Sequence, residues 1–127
     1  MSKRILVIDD QLDNRQILRD LLTSADFDVI EAEDGEALLA AAAAHRPDLI
    51  LMDIQLPGLD GYEATRRLKA DEALHAIPVI AVTSHALSED KDKAHAASCD
   101  AHISKPFSPR QLLAKVREYL PAPAPTR

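Results

Sequence analysis

The chain has 127 residues, enough for one domain with a hydrophobic core and too few for two ordinary ones. Hydrophobic content of 46% and charged content of 28% fit a soluble globular protein and exclude a disordered one. A formal net charge of −6 argues against nonspecific nucleic-acid binding, and a single cysteine, Cys99, excludes an internal disulfide and suits a reducing compartment.

The apolar run Ile5–Ile8 reads as a first strand. It stops at Asp9 and Asp10, too soon for a signal-peptide core or a membrane span, so the expected location is cytoplasmic. From Asn14 to Ser24 the apolar residues Ile17, Leu18, Leu21 and Leu22 make one face of a helix. Phe27–Ala32 reads as a second strand. Asp34 can cap an alanine-rich helix from about Glu36 to His45, which ends before Pro47. Asp48 then leads into Leu49, Ile50, Leu51 and Met52, an unbroken apolar run that ends in Asp53. Such a run suits a strand buried on both faces of a parallel sheet. Gln55, Pro57 and Gly58 follow as turn residues.

Asp60 and Glu63 have the spacing of a capping box, and a polar helix follows to about Ala70. Ile77–Val82 reads as a fourth strand. Pro78 sits near its start, where a missing N–H does least harm, and Thr83 and Ser84 close it. Ser88 can cap a fourth helix to about Ser98. Charged residues from Glu89 to Lys93 and scattered alanines give it little apolar periodicity, so it is expected to be exposed and loosely held. Asp100–Ser104 is a weak fifth strand running into Lys105 and Pro106. Ser108, Pro109 and Gln111 then supply an N-cap, a proline at N1 and a glutamine at N3. Leu112, Leu113, Val116 and Leu120 are the apolar stripe of the last helix. The tail 121–127 alternates proline and is expected to be extended and mobile, either a plain terminus or the start of a linker. The expected division is a domain over 1–120 and this tail.

Alternation of five strands with five helices predicts a flavodoxin-like (βα)5 three-layer sandwich. Strands one, three and four are the most apolar and should be central, with two and five at the edges, which gives the order 2-1-3-4-5. The switch point of that order lies between strands one and three. Asp9, Asp10 and Asp53 therefore meet at one carboxyl edge. Three carboxylates repel one another, and a hard divalent cation with oxygen ligands, such as magnesium, resolves the repulsion. Thr83 brings a hydroxyl to the same edge and Lys105 an ammonium group. A cation, an ammonium and a hydroxyl around one aspartate suit phosphoryl transfer, which depends on positioning and charge stabilisation.

Blander readings stand beside this one. Asp9 and Asp10 could be charges at a helix N-terminus, Lys105 a surface lysine and Thr83 a strand-end residue. The histidines at 45, 75, 85, 95 and 102 lack zinc-ligand spacing. Cys99 reads as a small buried residue with no base beside it, and the run from Glu89 to Lys93 as a solvated helix face.

These residues together resemble the receiver domain of two-component response regulators. The matching pieces are Ile8-Asp9-Asp10, Leu51-Met52-Asp53-Ile54-Gln55-Leu56-Pro57-Gly58, Ala81-Val82-Thr83-Ser84 and Ile103-Ser104-Lys105-Pro106-Phe107. They come in order, each at a strand end, over about residues 3–120. The segments from Asp9 to Asn14 and from Met52 to Pro57 are similar to those of single-domain regulators of the cell-division and chemotaxis type, and of receivers in hybrid kinases.

The resemblance implies that Asp53 accepts a phosphoryl group from a phosphohistidine. Asp10 would ligate Mg2+ directly and Asp9 through water, completed by Asp53 and the main-chain carbonyl of Gln55. Mn2+ or Ca2+ could substitute. Lys105 would pair with the phosphoryl oxygens, aimed by a cis Lys105–Pro106 peptide, and Thr83 would bind the phosphoryl group once it arrives. The same family logic makes Thr83 and the residue at 102 a switch. His102 stands there in place of the usual Tyr or Phe, so the coupling is expected to be weaker or pH-sensitive. Gln55 and His85 would flank the pocket mouth and tune hydrolysis: Gln55 could orient water, and His85 could restrict or assist it. Ser98 is a second departure, since many receivers have glycine there. Implied partners are a histidine kinase or histidine phosphotransfer protein, and a downstream signalling protein on the face of helix four, strand five and helix five. Neither nucleic acid nor membrane is implied, and the expected state is a monomer or weak dimer.

Competing readings are an unphosphorylated interaction scaffold on the same fold, an aspartate-nucleophile phosphatase, and a flavin carrier. The complete acidic set with Thr83 and Lys105 argues against the first. The phosphatase needs a second carboxylate where Gln55 stands, so multiple turnover on small substrates is not expected. The acidic loop after strand one is a poor phosphate cradle for a flavin.

Overall fold

A computed structural model describes residues 3–53, 61–83, 100–104 and 108–120, with the side chains at 62, 83 and 104 excepted. The elements in chain order are β1 (Arg4–Ile8), α1 (Leu12–Ser24), β2 (Asp28–Ala32), α2 (Gly35–His45), β3 (Leu49–Asp53), α3 (Gly61–Ala70), β4 (Val79–Thr83), β5 (Ala101–Ser104) and α4 (Pro109–Tyr119). The helix designated α4 is the fifth one expected from sequence. The fourth expected helix, Asp60 of the expected capping box, and the tail lie outside the described residues.

The strands form one parallel sheet of order β2-β1-β3-β4-β5, as expected. Burial explains the sequence pattern of each. All five residues of β3 are buried, which is why its apolar run is unbroken. At the sheet edge, β2 has only Ala32 fully buried and tolerates Asp28 and Glu31. Alternation along the strands divides the core into two layers. Ile5, Val7, Leu49, Leu51 and Ile80 pack with Leu18 and Leu22 of α1 and Leu112 and Val116 of α4. Leu6, Ile8, Ile50, Met52 and Ala81 pack with Leu38 and Ala42 of α2 and Ala64 and Leu68 of α3.

Helix starts follow the expected chemistry. The Asp34 carboxylate accepts from Ala37 N at 2.8 Å and caps α2. Ser108 and Gln111 form a reciprocal capping box at α4, at 3.1 and 2.8 Å, with Pro109 inside the first turn. Arg46 ends α2 in the left-handed region at φ 46°, and Pro47 after it cannot extend the helix. Three strands begin later than sequence suggested: β2 at Asp28, β4 at Val79 and β5 at Ala101. Pro78 lies just outside β4 and still accepts from Ile50 N at 3.0 Å through its carbonyl.

The buried line of α1 differs from the expected stripe. It runs Arg15, Leu18, Leu22, while Ile17 is 65% exposed. Residues 15, 18 and 22 lie on one side of a helix. Seating Arg15 against the sheet edge turns Ile17 out to solvent.

The amino edge of β4 and β5 is pinned by charge. Lys69 Nζ, at the end of α3, donates to the carbonyls of His75 (3.1 Å) and Ile77 (2.9 Å) and to Asp100 Oδ2 (2.9 Å). Asp100 Oδ2 also accepts from Val79 N at 2.7 Å, and the Tyr119 hydroxyl donates to the Asp100 carbonyl at 2.9 Å.

Candidate functional site

At the opposite, carboxyl edge, β1 and β3 lie side by side with Ile8 paired to Met52. Each strand delivers a carboxylate one residue further on. Asp53 closes β3 and continues the alternation of Leu49 and Leu51, which places it on the face covered by α1 and α4. Asp9 follows β1, and its N–H donates to the Ala32 carbonyl at 3.2 Å, carrying the ladder one residue past the strand. Asp10 comes next at the surface. Asp9 and Asp53 are buried and Asp10 exposed, and one oxygen from each lies within 4.8 Å of the others.

The turn from β1 into α1 is held from several sides. Asp9 Oδ1 accepts from Gln11 N at 2.9 Å, a local turn bond typical of aspartate. This bond satisfies an N–H entering α1, so Asp9 does serve the helix start. That role leaves the approach of Asp10 and Asp53 unexplained, and the blander reading therefore falls short. Arg15 lies behind the turn with its side chain only 8% exposed. Its Nη1 donates to the Asp9 carbonyl at 2.6 Å and its Nε to Glu31 Oε1 at 3.3 Å. Glu33 Oε1 lies 3.7 Å from Nη2, and Arg19 Nη1 takes the other Glu31 oxygen at 3.1 Å.

Chemically, the cluster is a set of hard oxygen donors converging on one small volume. The buried charges of Asp9 and Asp53, within 4.8 Å, repel by about 3 kcal/mol at an effective dielectric of about 20, and the exposed Asp10 adds less. A compact divalent cation reverses that sign, and carboxylate oxygen is the donor that magnesium, manganese and calcium take. The residues present therefore fit such an ion.

Of the other expected site residues, Thr83 is the last residue of β4, on the same sheet edge. It pairs with Ser104, and Ala81 pairs with His102. Strand alternation makes positions 83 and 102 diagonal neighbours on one face. His102 is half-buried there. Gln55, His85, Lys105 and Pro106 lie outside the described residues; Ser104, the last residue of β5, immediately precedes Lys105. Arg15 was missed by the sequence reading. Its signal was a cation three residues before Leu18 and seven before Leu22, in line with the buried stripe.

Comparison with known proteins agrees with this architecture. A family model described as the response regulator receiver domain matches residues 5–117. The polar-differentiation response regulator DivK of Brucella anthropi is 41% identical over 120 residues, covering 94% of this chain and 98% of that protein. Among solved structures, chemotaxis protein CheY4 of Vibrio cholerae superposes with a TM-score of 0.89 at 27% identity, covering 94% of this chain and 99% of that one. The receiver domain of sensor histidine kinase PA1611 from Pseudomonas aeruginosa PAO1, solved with a magnesium ion coordinated in its active site cleft, gives 0.88 at 32% identity, covering 96% and 100%. With its sheet order, its acidic edge and the match over residues 5–117, the chain belongs to the response regulator receiver domain family of two-component systems.

Proposed function

We propose that Asp53 accepts a phosphoryl group from a phosphohistidine, on a histidine kinase or a histidine phosphotransfer protein, and that the modification switches binding of a downstream partner. The observation that carries this reading is the convergence of Asp9, Asp10 and Asp53 within 4.8 Å at the carboxyl edge. Asp10 and Asp53, with the main-chain carbonyl of Gln55, would hold Mg2+, with Asp9 supporting it, and Mn2+ or Ca2+ would substitute. Bound there, the ion supplies charge stabilisation to the phosphoryl oxygens.

An Asp53 carboxylate oxygen forms the new P–O bond as the P–N bond of the donor breaks, and the bonding pair returns to the imidazole nitrogen. The buried strand fixes the position of Asp53, so little reorientation precedes attack. Lys105 pairs with the phosphoryl oxygens, and Thr83 binds them after transfer. The added charge, roughly 1.5 to 2 units, draws Thr83 inward. The diagonal placement of positions 83 and 102 supports His102 as the residue that follows. The responding face is the segment 88–98 with β5 and α4. Residues 1–120 form the receiver and 121–127 its tail; the chain works in the cytoplasm as a monomer or weak dimer.

The test is incubation with acetyl phosphate and magnesium. The expected product is an acid-stable, base-labile phosphoryl adduct that D53N lacks. An adduct that persists in D53N moves the site elsewhere, no adduct under any donor favours the unphosphorylated scaffold, and rapid multiple turnover of phosphate esters favours a phosphatase. Lifetimes of the adduct in wild type, Gln55→Ala and His85→Ala then test the two tuning positions, and unchanged lifetimes remove both.

A further inference from the structure

Asp9 is held by main-chain and side-chain bonds together. Its N–H reaches the Ala32 carbonyl, its Oδ1 accepts from Gln11 N, and its carbonyl takes the Nη1 of Arg15 at 2.6 Å. The third contact is unusual in its cost. A guanidinium that is 8% exposed has been drawn out of water to bind a neutral carbonyl, close behind a cluster of three carboxylates. Its charge is met by Glu31 at 3.3 Å and Glu33 at 3.7 Å. Glu31 is itself fixed by Arg19 at 3.1 Å. The planar fork of arginine suits this arrangement, because one arm binds the carbonyl while the others remain on carboxylates of β2 and the residues after it.

We propose that Arg15 is a positioning residue for the metal site: it clamps the Asp9 carbonyl from behind, and so holds the Asp9–Asp10 turn in ligand geometry, while Glu31 and Glu33 keep its charge from opposing the cation. The inference rests on the magnesium reading above. Arg15 touches neither ion nor phosphoryl group. It acts through the backbone of Asp9, as outer partners of metal ligands commonly do, and loss of such partners typically costs about 10- to 100-fold in affinity.

Charge and position make opposite forecasts, which makes the idea testable. If Arg15 acted on the site only as a nearby positive charge, Arg15→Met would tighten Mg2+ binding and Arg15→Lys would leave it unchanged. As a clamp, both substitutions weaken it, since lysine keeps the charge but cannot span the Asp9 carbonyl and Glu31 together. The experiment is calorimetric titration of the full chain with MgCl2 for wild type, R15M, R15K and R19M. Far-ultraviolet dichroism and thermal unfolding in EDTA establish that each is folded. Expected are about 10-fold weaker binding in R15M and R15K, and a smaller loss in R19M, because Arg19 holds Glu31 but does not hold the Asp9 carbonyl. If R15M does not fold, R15K carries the test. Wild-type affinity in folded R15K, or tighter binding in R15M, overturns the clamp while leaving the site reading intact. A wild-type chain that takes up no magnesium overturns both.

Discussion

Crowding carboxylates at the carboxyl edge costs folding energy, and Asp53→Asn measures that cost. The substitution keeps the shape of the side chain and removes one charge from the cluster. Asp9 and Asp53 are both buried with oxygens within 4.8 Å, so their repulsion is about 3 kcal/mol at an effective dielectric of about 20. Asp10 is exposed, and solvent reduces its share to about 1 kcal/mol. Asp53 also has an interaction of its own, and weakening it on substitution takes back about 1–2 kcal/mol. The net expectation is that D53N is more stable than wild type by about 2 kcal/mol without metal, a rise in Tm of roughly 8 °C for a chain of this length. Thermal unfolding in EDTA reads this directly. Saturating magnesium should narrow or reverse the order. At 100 times Kd the ion contributes about 2.7 kcal/mol to wild type, and less to a variant that has lost a ligand. A D53N protein no more stable than wild type in EDTA would show that the cluster is already neutralised, and the repulsion argument would fail.

Other consequences follow from the packing. Leu22→Ala, at a position with no exposure, should cost about 3–4 kcal/mol by urea denaturation. Ile17→Ala, on the solvent side of the same helix, should stay within about 0.5 kcal/mol, and a cost near that of Leu22 would refute the observed seating of α1. Asp100→Ala removes the acceptor shared by Lys69 Nζ and Val79 N and should cost about 1–3 kcal/mol; a smaller loss would mean that water replaces the carboxylate freely. For His102, the imidazole resonances should shift between the unmodified protein and a phosphoryl-mimic complex. Identical rotamer and environment in the two states would remove His102 from the switch.

Local chemistry was legible in the sequence, and chemistry between distant segments was not. The unbroken run before Asp53, the Asp34 cap and the Ser108–Gln111 box each need only neighbouring residues, and each is found where the sequence placed it. Sheet order followed from the polarity of β2 and the weakness of β5. The seating of α1 was misread because a count of apolar residues cannot score an arginine as interior. Arg15 is interior because Glu31, sixteen residues away on another element, answers its charge. The Lys69–Asp100 pair spans thirty-one residues and gave no local signal for the same reason. The candidate site was legible to the extent that its members end strands. What holds those members in place, the clamp behind Asp9, was not.

The two edges of the sheet treat charge in opposite ways, and the contrast explains how one small domain keeps a crowded acidic site. At the amino edge, carboxylates serve closure. Asp48 accepts from Arg4 N at 2.8 Å, and Asp100 binds Lys69 and Val79 N together. At the carboxyl edge, Arg15 meets Asp9 through its main-chain oxygen and turns its remaining donors to Glu31 and Glu33. Arg15 thus fixes the backbone of the acidic cluster while its own charge is answered elsewhere. Between the edges, the buried residues of β1, β3 and β4 supply the apolar burial that sustains such a cost. On the proposed function, a divalent cation and a phosphoryl group on Asp53 would answer the acidic charge on a frame of buried strands. Thr83 closes β4 and His102, paired with Ala81, lies diagonal to it, which is where a change of charge at Asp53 would become a change of surface.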